Sequence, residues 1–176
     1  MASVFTHAFF ALALGKVCAA SAEMPARFWV LSALCAVVPD ADVVAFLFGV
    51  AYGDVLGHRG LSHSLLFALL LACAVVAAFF RGKGFRKGAL VVYFFLVTAS
   101  HGALDALTDG GLGVAFFAPF DATRYFFPWR PLVVSPIGVG SFFSEWGLAV
   151  ILCEFVWVWL PSLLVVGVVR ALRRAR

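Results

Sequence analysis

Apolar residues run along this chain in stretches long enough to cross a bilayer, separated by short polar or cationic breaks. A spanning helix needs about 20 mostly apolar residues at about 1.5 Å of rise each. Leu61–Phe80 meets that need without a single Asp, Glu, Lys or Arg and stops at Arg81. Gly88–Leu107 and Trp146–Val169 follow the same logic and carry Asp105 and Glu154. Arg27–Val50 is long enough but is interrupted by Pro39-Asp40-Ala41-Asp42. Proline removes a backbone donor and disfavours helix in the residue before it, so a kinked or two-piece helix is expected there. Ser3–Ala20 is interrupted by His7 and Lys16 and reads as a marginal span or a tilted, partly embedded helix. Residues 110–145, rich in Gly, Pro, Phe and Trp, are too broken to span. Their aromatics suit the membrane interface, as a lid or re-entrant element. No internal repeat or linker divides the chain. Residues 1–176 are therefore expected to form a single all-α membrane domain, a bundle of four or five embedded helices.

Composition supports that class. The chain is 64% apolar and 12% charged, against roughly 45–50% and about 25% in soluble domains. A soluble globule, a disordered chain, collagen and a coiled coil are all excluded. A net charge of +4 would ordinarily raise nucleic acid as a partner. Here the cations gather in Arg81–Lys87 and Arg170–Arg176, the pattern of cytoplasmic flanks of spans. Membrane lipids, not nucleic acid, are the expected partners. The same rule gives a multi-pass protein of the cell (inner) membrane with a cytoplasmic C-terminus. The Lys16–Arg27 turn is then inside, and Ala51–Gly60 and the connection after residue 107 are outside. Cys18, Cys35, Cys73 and Cys153 lie in apolar runs with no C-x-x-C spacing and are expected to be free thiols. No basic region precedes the first apolar stretch, so Met1–Gly15 is expected to belong to the mature protein.

Several polar residues do not belong in a bilayer. The four histidines are His7, His58, His63 and His101, and on this topology all of them fall toward the outer side. Asp40 and Asp42 break the second helix in its outer half, and Asp105 follows His101 by one turn. An ionised Asp at the centre of a span costs about 2.5–3.5 kcal/mol, so such residues face protein or water and have a partner. Imidazoles and carboxylates together are the ligand set of zinc and manganese. His101 and Asp105 share a helix face, with Thr108 near it. Asp40 and Asp42 are two apart and suit one α-helical stripe poorly, but a proline-broken turn can aim both inward. His58 and His63 fit together if His58 precedes a helix and His63 sits in its first turn. Glu154 has no clear partner in this set and reads as structural or interfacial. Asp54, Asp109 and Asp121 read as solvated loop residues.

Four motifs occur in order: Thr6-His7, Pro39-Asp40-Ala41-Asp42, Gly57-His58-Arg59-Gly60-Leu61-Ser62-His63-Ser64, and Ser100-His101-Gly102-Ala103-Leu104-Asp105-Ala106-Leu107-Thr108. Together they resemble the membrane-bound metal-dependent hydrolase family of the YdjM type, over roughly residues 3–140. The later segment with Pro119, Arg124, Tyr125, Phe126 and Pro136 is similar to that family's region after its last His-Asp motif. The resemblance implies a distant relation to the all-helical zinc-dependent phospholipase C and P1 nuclease enzymes, which hydrolyse phosphoesters with clustered His and Asp around zinc.

The leading expectation is a metal-dependent hydrolase of phosphoesters, lipid or lipid-linked, at the outer membrane interface. His7, Asp40, Asp42, His58, His63, His101 and Asp105 are the expected metal ligands, for one or two divalent ions, zinc before manganese. Arg59, Asp42 and Arg124 are the expected catalytic residues. Arg59 and Arg124 would grip a phosphate through a charge-assisted fork, with Arg59 alternatively orienting an Asp ligand. Two other readings stay open. A metal- or proton-conducting transporter would need polar residues along the whole span, and the inner halves here are almost purely apolar. A non-catalytic protein with a structural metal site would use the same residues.

Overall fold

The computed structural model describes residues 1–19, 24–82 and 84–175. Ala20 of the first expected span, residues 20–23 of the Lys16–Arg27 turn, Lys83 and Arg176 lie outside the described residues. The fold is all-helical. Helix α1 is Val4–Cys18, α2 Ala26–Val37, α3 Leu65–Phe79 and α4 Lys87–Ala106. The single turn α5 is Val139–Phe142, and α6 (Glu145–Glu154) runs through a π-helical turn, Phe155–Trp159, into α7 (Leu160–Arg174). Among the described residues, three rods are long and apolar enough to cross a membrane: Ala26–Phe48, Lys87–Ala106 and Glu145–Arg174. Val4–Cys18 and Leu65–Phe79 are shorter apolar helices.

Two expected boundaries move, each for a local reason. The α-helix expected from Leu61 starts at Leu65, because Ser64 caps it and its Oγ accepts the Phe67 N–H at 3.1 Å. Leu61–His63 is left as a separate 3-10 turn. The second helix is in two pieces, as Pro39 implies, but its second piece is an eleven-residue 3-10 helix, Val38–Phe48, which ends at Gly49 with φ 76°. In an α-helix residues two apart project about 160° from one another; at three residues per turn the angle falls to about 120°. This tighter winding lets Asp40 and Asp42 address neighbouring parts of one site.

One apolar core fills the half of the bundle away from the histidines. Phe28 of α2 stacks on Tyr93 of α4 with ring centroids 4.6 Å apart, amid Ala11, Cys35, Ala72, Val76, Phe80, Phe94 and Val97. The Tyr93 hydroxyl is paired with the Ser32 hydroxyl at 2.8 Å, so this core buries no orphaned phenol. Cationic residues collect at that end. Arg173 of α7 donates to the Lys16, Val17 and Ala19 carbonyls that α1 leaves open at its C-terminus. All four cysteines are free.

The opposite end holds the histidines and is covered by the long connection after α4. That segment is pinned by backbone bonds: Ala115 N–H to the Arg59 carbonyl at 3.0 Å, and Leu65 N–H to the Phe116 carbonyl at 2.9 Å. Bridges Val114–Tyr125 and Thr108–Leu132 fold it back on itself and on the end of α4. Asp54, Asp109 and Asp121 brace exposed loop turns by accepting the Ala51, Val134 and Thr123 amides. Two glycines make the tight contacts possible. A Cβ at Gly102 would stand 3.1 Å from the His63 carbonyl, so its absence lets α4 approach the 3-10 turn. A Cβ at Gly60 would overlap the Val55 carbonyl and lie 2.8 Å from that of Gly57.

Gly60→Ala should therefore destabilise the purified protein by about 1–3 kcal/mol, the cost of overpacking. Gly88→Ala, where no atom lies within 4 Å of an added Cβ, should be neutral or slightly stabilising. Thermal unfolding in detergent checks the pair; equal melting temperatures would contradict this packing.

Candidate metal centre

Four elements converge on one buried cluster. The 3-10 helix Val38–Phe48 brings Asp40 and Asp42, the loop and 3-10 turn before α3 bring His58 and His63, α4 brings His101 and Asp105, and α1 brings His7. The side chains of His7, His63, His101 and Asp105 have no exposure, whereas Asp40 and Asp42 keep 9% and 6%. Access from solvent is therefore past the 3-10 helix.

Hydrogen bonds fix which ring nitrogen carries the proton. His101 Nδ1 lies 2.6 Å from the Ala36 carbonyl, which can only accept, so Nδ1 is the donor. His58 Nδ1 lies 2.7 Å from Asp42 Oδ1, and His63 Nδ1 lies 3.2 Å from Asp42 Oδ2 and 3.0 Å from the Ser62 hydroxyl. The Ser62 hydroxyl is itself committed to Asp42 Oδ2 at 2.5 Å. His58 and His63 therefore also donate from Nδ1. In the neutral rings every Nε2 is then an acceptor.

That assignment leaves the centre electrostatically incomplete. His63 Nε2 and His101 Nε2 face each other at 3.0 Å, lone pair against lone pair. Asp40 Oδ1 lies 3.2 Å from His101 Nε2 and 3.7 Å from His63 Nε2, yet neither Asp40 oxygen accepts a hydrogen bond. Asp105 Oδ2 lies 3.6 Å from His63 Nε2. Only a cation between these atoms, a proton or a metal ion, relieves the repulsion. Tetrahedral zinc with N and O ligands at about 2.0–2.1 Å sets neighbouring ligand atoms about 3.3 Å apart. Four of the six separations, 3.0–3.7 Å, bracket that figure, and all lie within 4.8 Å. Charge points the same way. Asp105 is paired with the Arg59 guanidinium, whereas Asp40 and Asp42 are met by imidazole, hydroxyl and amide groups, a setting in which a divalent ion would supply the missing positive charge.

Asp42 and His58 sit differently. Asp42 accepts from His58, His63, Ser62 and the Arg59 amide, so its oxygens are occupied inside the protein. It holds two imidazoles from behind, the usual outer carboxylate of a metal–histidine unit. The three residues Asp42, His58 and His63 do offer ligand atoms within 4.8 Å of one another, as do Asp40, His63, His101 and Asp105. His58 Nε2 is buried without a partner. His7 stacks on His101 at 3.7 Å between centroids, with Nε2 3.4 Å from Asp105 Oδ1 and no hydrogen bond to either ring nitrogen.

The two arginines are turned inward. Arg59 is fully buried and left-handed at φ 61°. Its Nε donates to Asp105 Oδ2 at 3.0 Å, and its other nitrogens donate to the Gly110 carbonyl and the Thr108 hydroxyl. The fork expected for a phosphate is spent on Asp105 and its neighbours, which is the Asp-orienting geometry. Arg124 spends its guanidinium on the carbonyls of Tyr52, Asp54, His58 and Gly113 and so ties the 52–58 loop to the covering segment. Burial raises the Tyr52 phenol above its ordinary pKa and keeps it neutral beside these cations. Sequence reasoning left three participants unassigned. Ser62 was visible only as part of the H-R-G-x-S-H string, and the Ala36 and Gly110 carbonyls carry no side-chain signal at all.

Removing Arg59 leaves Asp105 as an unpaired buried charge, a loss of about 3–5 kcal/mol. Arg59→Met should accordingly fail to accumulate as folded protein, while Arg59→Lys should fold with a lower melting temperature. Size-exclusion profiles and thermal unfolding in detergent measure both, and a wild-type profile for Arg59→Met would contradict the pairing.

Comparison with known proteins agrees with this architecture. No solved structure matches the chain. It is similar to "Inner membrane protein YbcI" of Escherichia coli (strain K12), at 39% identity over 176 residues, covering 99% of this chain and 100% of that one. A profile described as YdjM inner membrane protein matches residues 1–175. The chain, with its helices long and apolar enough to span a bilayer, belongs to the YdjM family of inner membrane proteins.

Proposed function

We propose that this protein is a membrane-bound, metal-dependent hydrolase of phosphoesters, lipid or lipid-linked, working at the outer face of the membrane. The observation that carries the reading is the approach of His63 Nε2 to His101 Nε2, 3.0 Å apart. Asp40, whose oxygens have no hydrogen-bond partner, and Asp105 stand beside them. These four residues would hold one divalent ion, zinc before manganese. When bound, such an ion supplies Lewis-acid polarisation of a phosphoryl oxygen and acidification of water.

The chain's own residues supply the rest. Asp42 fixes the tautomers of His58 and His63, so each presents Nε2 as an acceptor. His58 Nε2, buried and unpartnered, can hold a proton taken from the attacking water. His7 has two unpartnered ring nitrogens beside Asp105 and His101, and its N–H can donate to a substrate oxygen. Arg59 keeps Asp105 aimed through its Nε. Large apolar side chains stand exposed around this end, with Leu47 at 83%, Phe48 at 81% and Phe120 at 85%. Surfaces of that kind suit the hydrocarbon–headgroup boundary, where a lipid phosphoester would present itself. The transporter reading is disfavoured by the apolar core that fills the other half of the bundle.

Purified wild-type protein should carry about one zinc per chain and turn over at least one member of a phosphodiester and phospholipid panel. His63→Ala and His101→Ala should emerge from purification without the ion. Asp42→Asn should retain it with affinity weakened roughly 10- to 100-fold, as for other outer partners of metal-binding histidines. Metal analysis with chelator competition reads all three, and full stoichiometry in both histidine variants would refute the ligand set. If metal is bound but nothing is turned over, the structural-metal reading takes its place.

Sidedness has its own test. Single cysteines at Gly84 and Ser141, in a background without the native thiols, should react with an impermeant maleimide from opposite sides of inner-membrane vesicles. Reaction from the same side would remove the proposed outer location.

A further inference from the structure

The C-terminal rod has no side chain in the metal cluster, yet it buries a carboxylate close by. Glu154 is the last residue of α6, directly before the π-helical turn, and has no exposure. It accepts from the Ser3 amide at 2.5 Å, the Ser3 hydroxyl at 2.5 Å and the Thr6 hydroxyl at 2.7 Å. Each of those hydroxyls also accepts a bond of its own: Ser3 Oγ takes the Thr6 amide, and Thr6 Oγ1 takes the Trp159 indole N–H at 2.6 Å. A carboxylate can accept all three donors at once, whereas an amide offers a single accepting oxygen.

Capping alone does not account for this buried carboxyl group. Ser3 already caps α1 through its own side chain, and a carboxylate inside a bilayer-spanning rod is costly. The neighbours of the two residues it grips are more informative. Ala2, next to Ser3, donates its amide to Asp105 Oδ1 at 2.7 Å. His7, next to Thr6, stacks on His101 and lies 3.4 Å from Asp105. Glu154 thus holds the two residues whose chain neighbours form one wall of the metal centre. A π-turn at this point adds one residue to the helical turn and lets the rod bend around the contact.

We propose that Glu154 is a positioning residue: it clamps the first turn of α1 so that His7 and the Ala2 amide are held against Asp105 and His101. The proposal rests on the metal reading above, and it gives the C-terminal rod a part in ion binding that no residue of its own performs by contact.

The test uses full-length protein in detergent, titrated with Co(II) and followed by its visible d–d absorption. Glu154→Gln, Thr6→Val, His7→Ala and the double variant Glu154→Gln/His7→Ala are compared with wild type. Wild type should bind Co(II) with a defined band. Glu154→Gln should weaken binding about 10- to 100-fold and shift the band. The double variant should lose less than the product of the two single losses, because both act through the same wall. Thr6→Val removes one of the three donors with little change of shape and should give the same shift with a smaller loss; it decides the matter if Glu154→Gln does not fold. Wild-type affinity and band in Glu154→Gln, or in Thr6→Val in that case, would overturn the proposal, as would losses that multiply fully. No Co(II) uptake by wild type would instead overturn the metal reading itself.

Discussion

Two imidazole lone pairs and two carboxylates cannot be packed together inside a membrane protein without a positive charge between them. Much of the histidine-bearing end of this bundle can be understood from that constraint. His63 Nε2 meets His101 Nε2 at 3.0 Å, with Asp40 and Asp105 alongside. Burying unpaired charge costs several kcal/mol per ion even after relaxation. Arg59 spends its Nε on Asp105, while Asp40 accepts no hydrogen bond at all. The surrounding hydrogen bonds orient His58, His63, His101 and Asp42, an arrangement in which a divalent ion would be a fitting counter-charge.

The backbone shows what that orientation demands. A regular α-helix would turn Asp40 and Asp42 to nearly opposite sides. The 3-10 winding after Val38 sets them on either flank of His63. Gly102 lets α4 close on the His63 carbonyl. Arg59 takes a left-handed backbone, a conformation that costs free energy for a non-glycine residue and that the neighbouring contacts must enforce. Such irregularities gather at one end of the bundle, while the other end is ordinary apolar packing. A stable helical bundle needs none of them; a site does.

Much of this was legible in the sequence. The spans follow from hydropathy because an unpaired backbone cannot cross lipid, and the gathering of His7, Asp40, Asp42, His58, His63, His101 and Asp105 follows from the topology those spans allow. The limits were equally physical. Helix starts depend on a single cap, so Ser64 moved α3 by four residues from its expected start. Whether a charged side chain meets solvent or protein depends on tertiary neighbours. Arg59 and Arg124 read as phosphate forks in the sequence, and both are spent on partners 46 or more residues away or on backbone carbonyls. Glu154 had no partner in the sequence because its partners lie 148 and 151 residues earlier. Backbone acceptors such as Ala36 have no side-chain signature to find.

X-ray absorption at the zinc edge of the purified, zinc-loaded protein tests the central claim most directly. The account predicts a first shell of N and O atoms at about 2.0–2.1 Å with no sulfur. It also predicts the outer-ring scattering of two imidazoles, reduced to one in His101→Ala protein that is reloaded with zinc. A shell of water oxygens without imidazole scattering, or a spectrum that His101→Ala leaves unchanged, would contradict it.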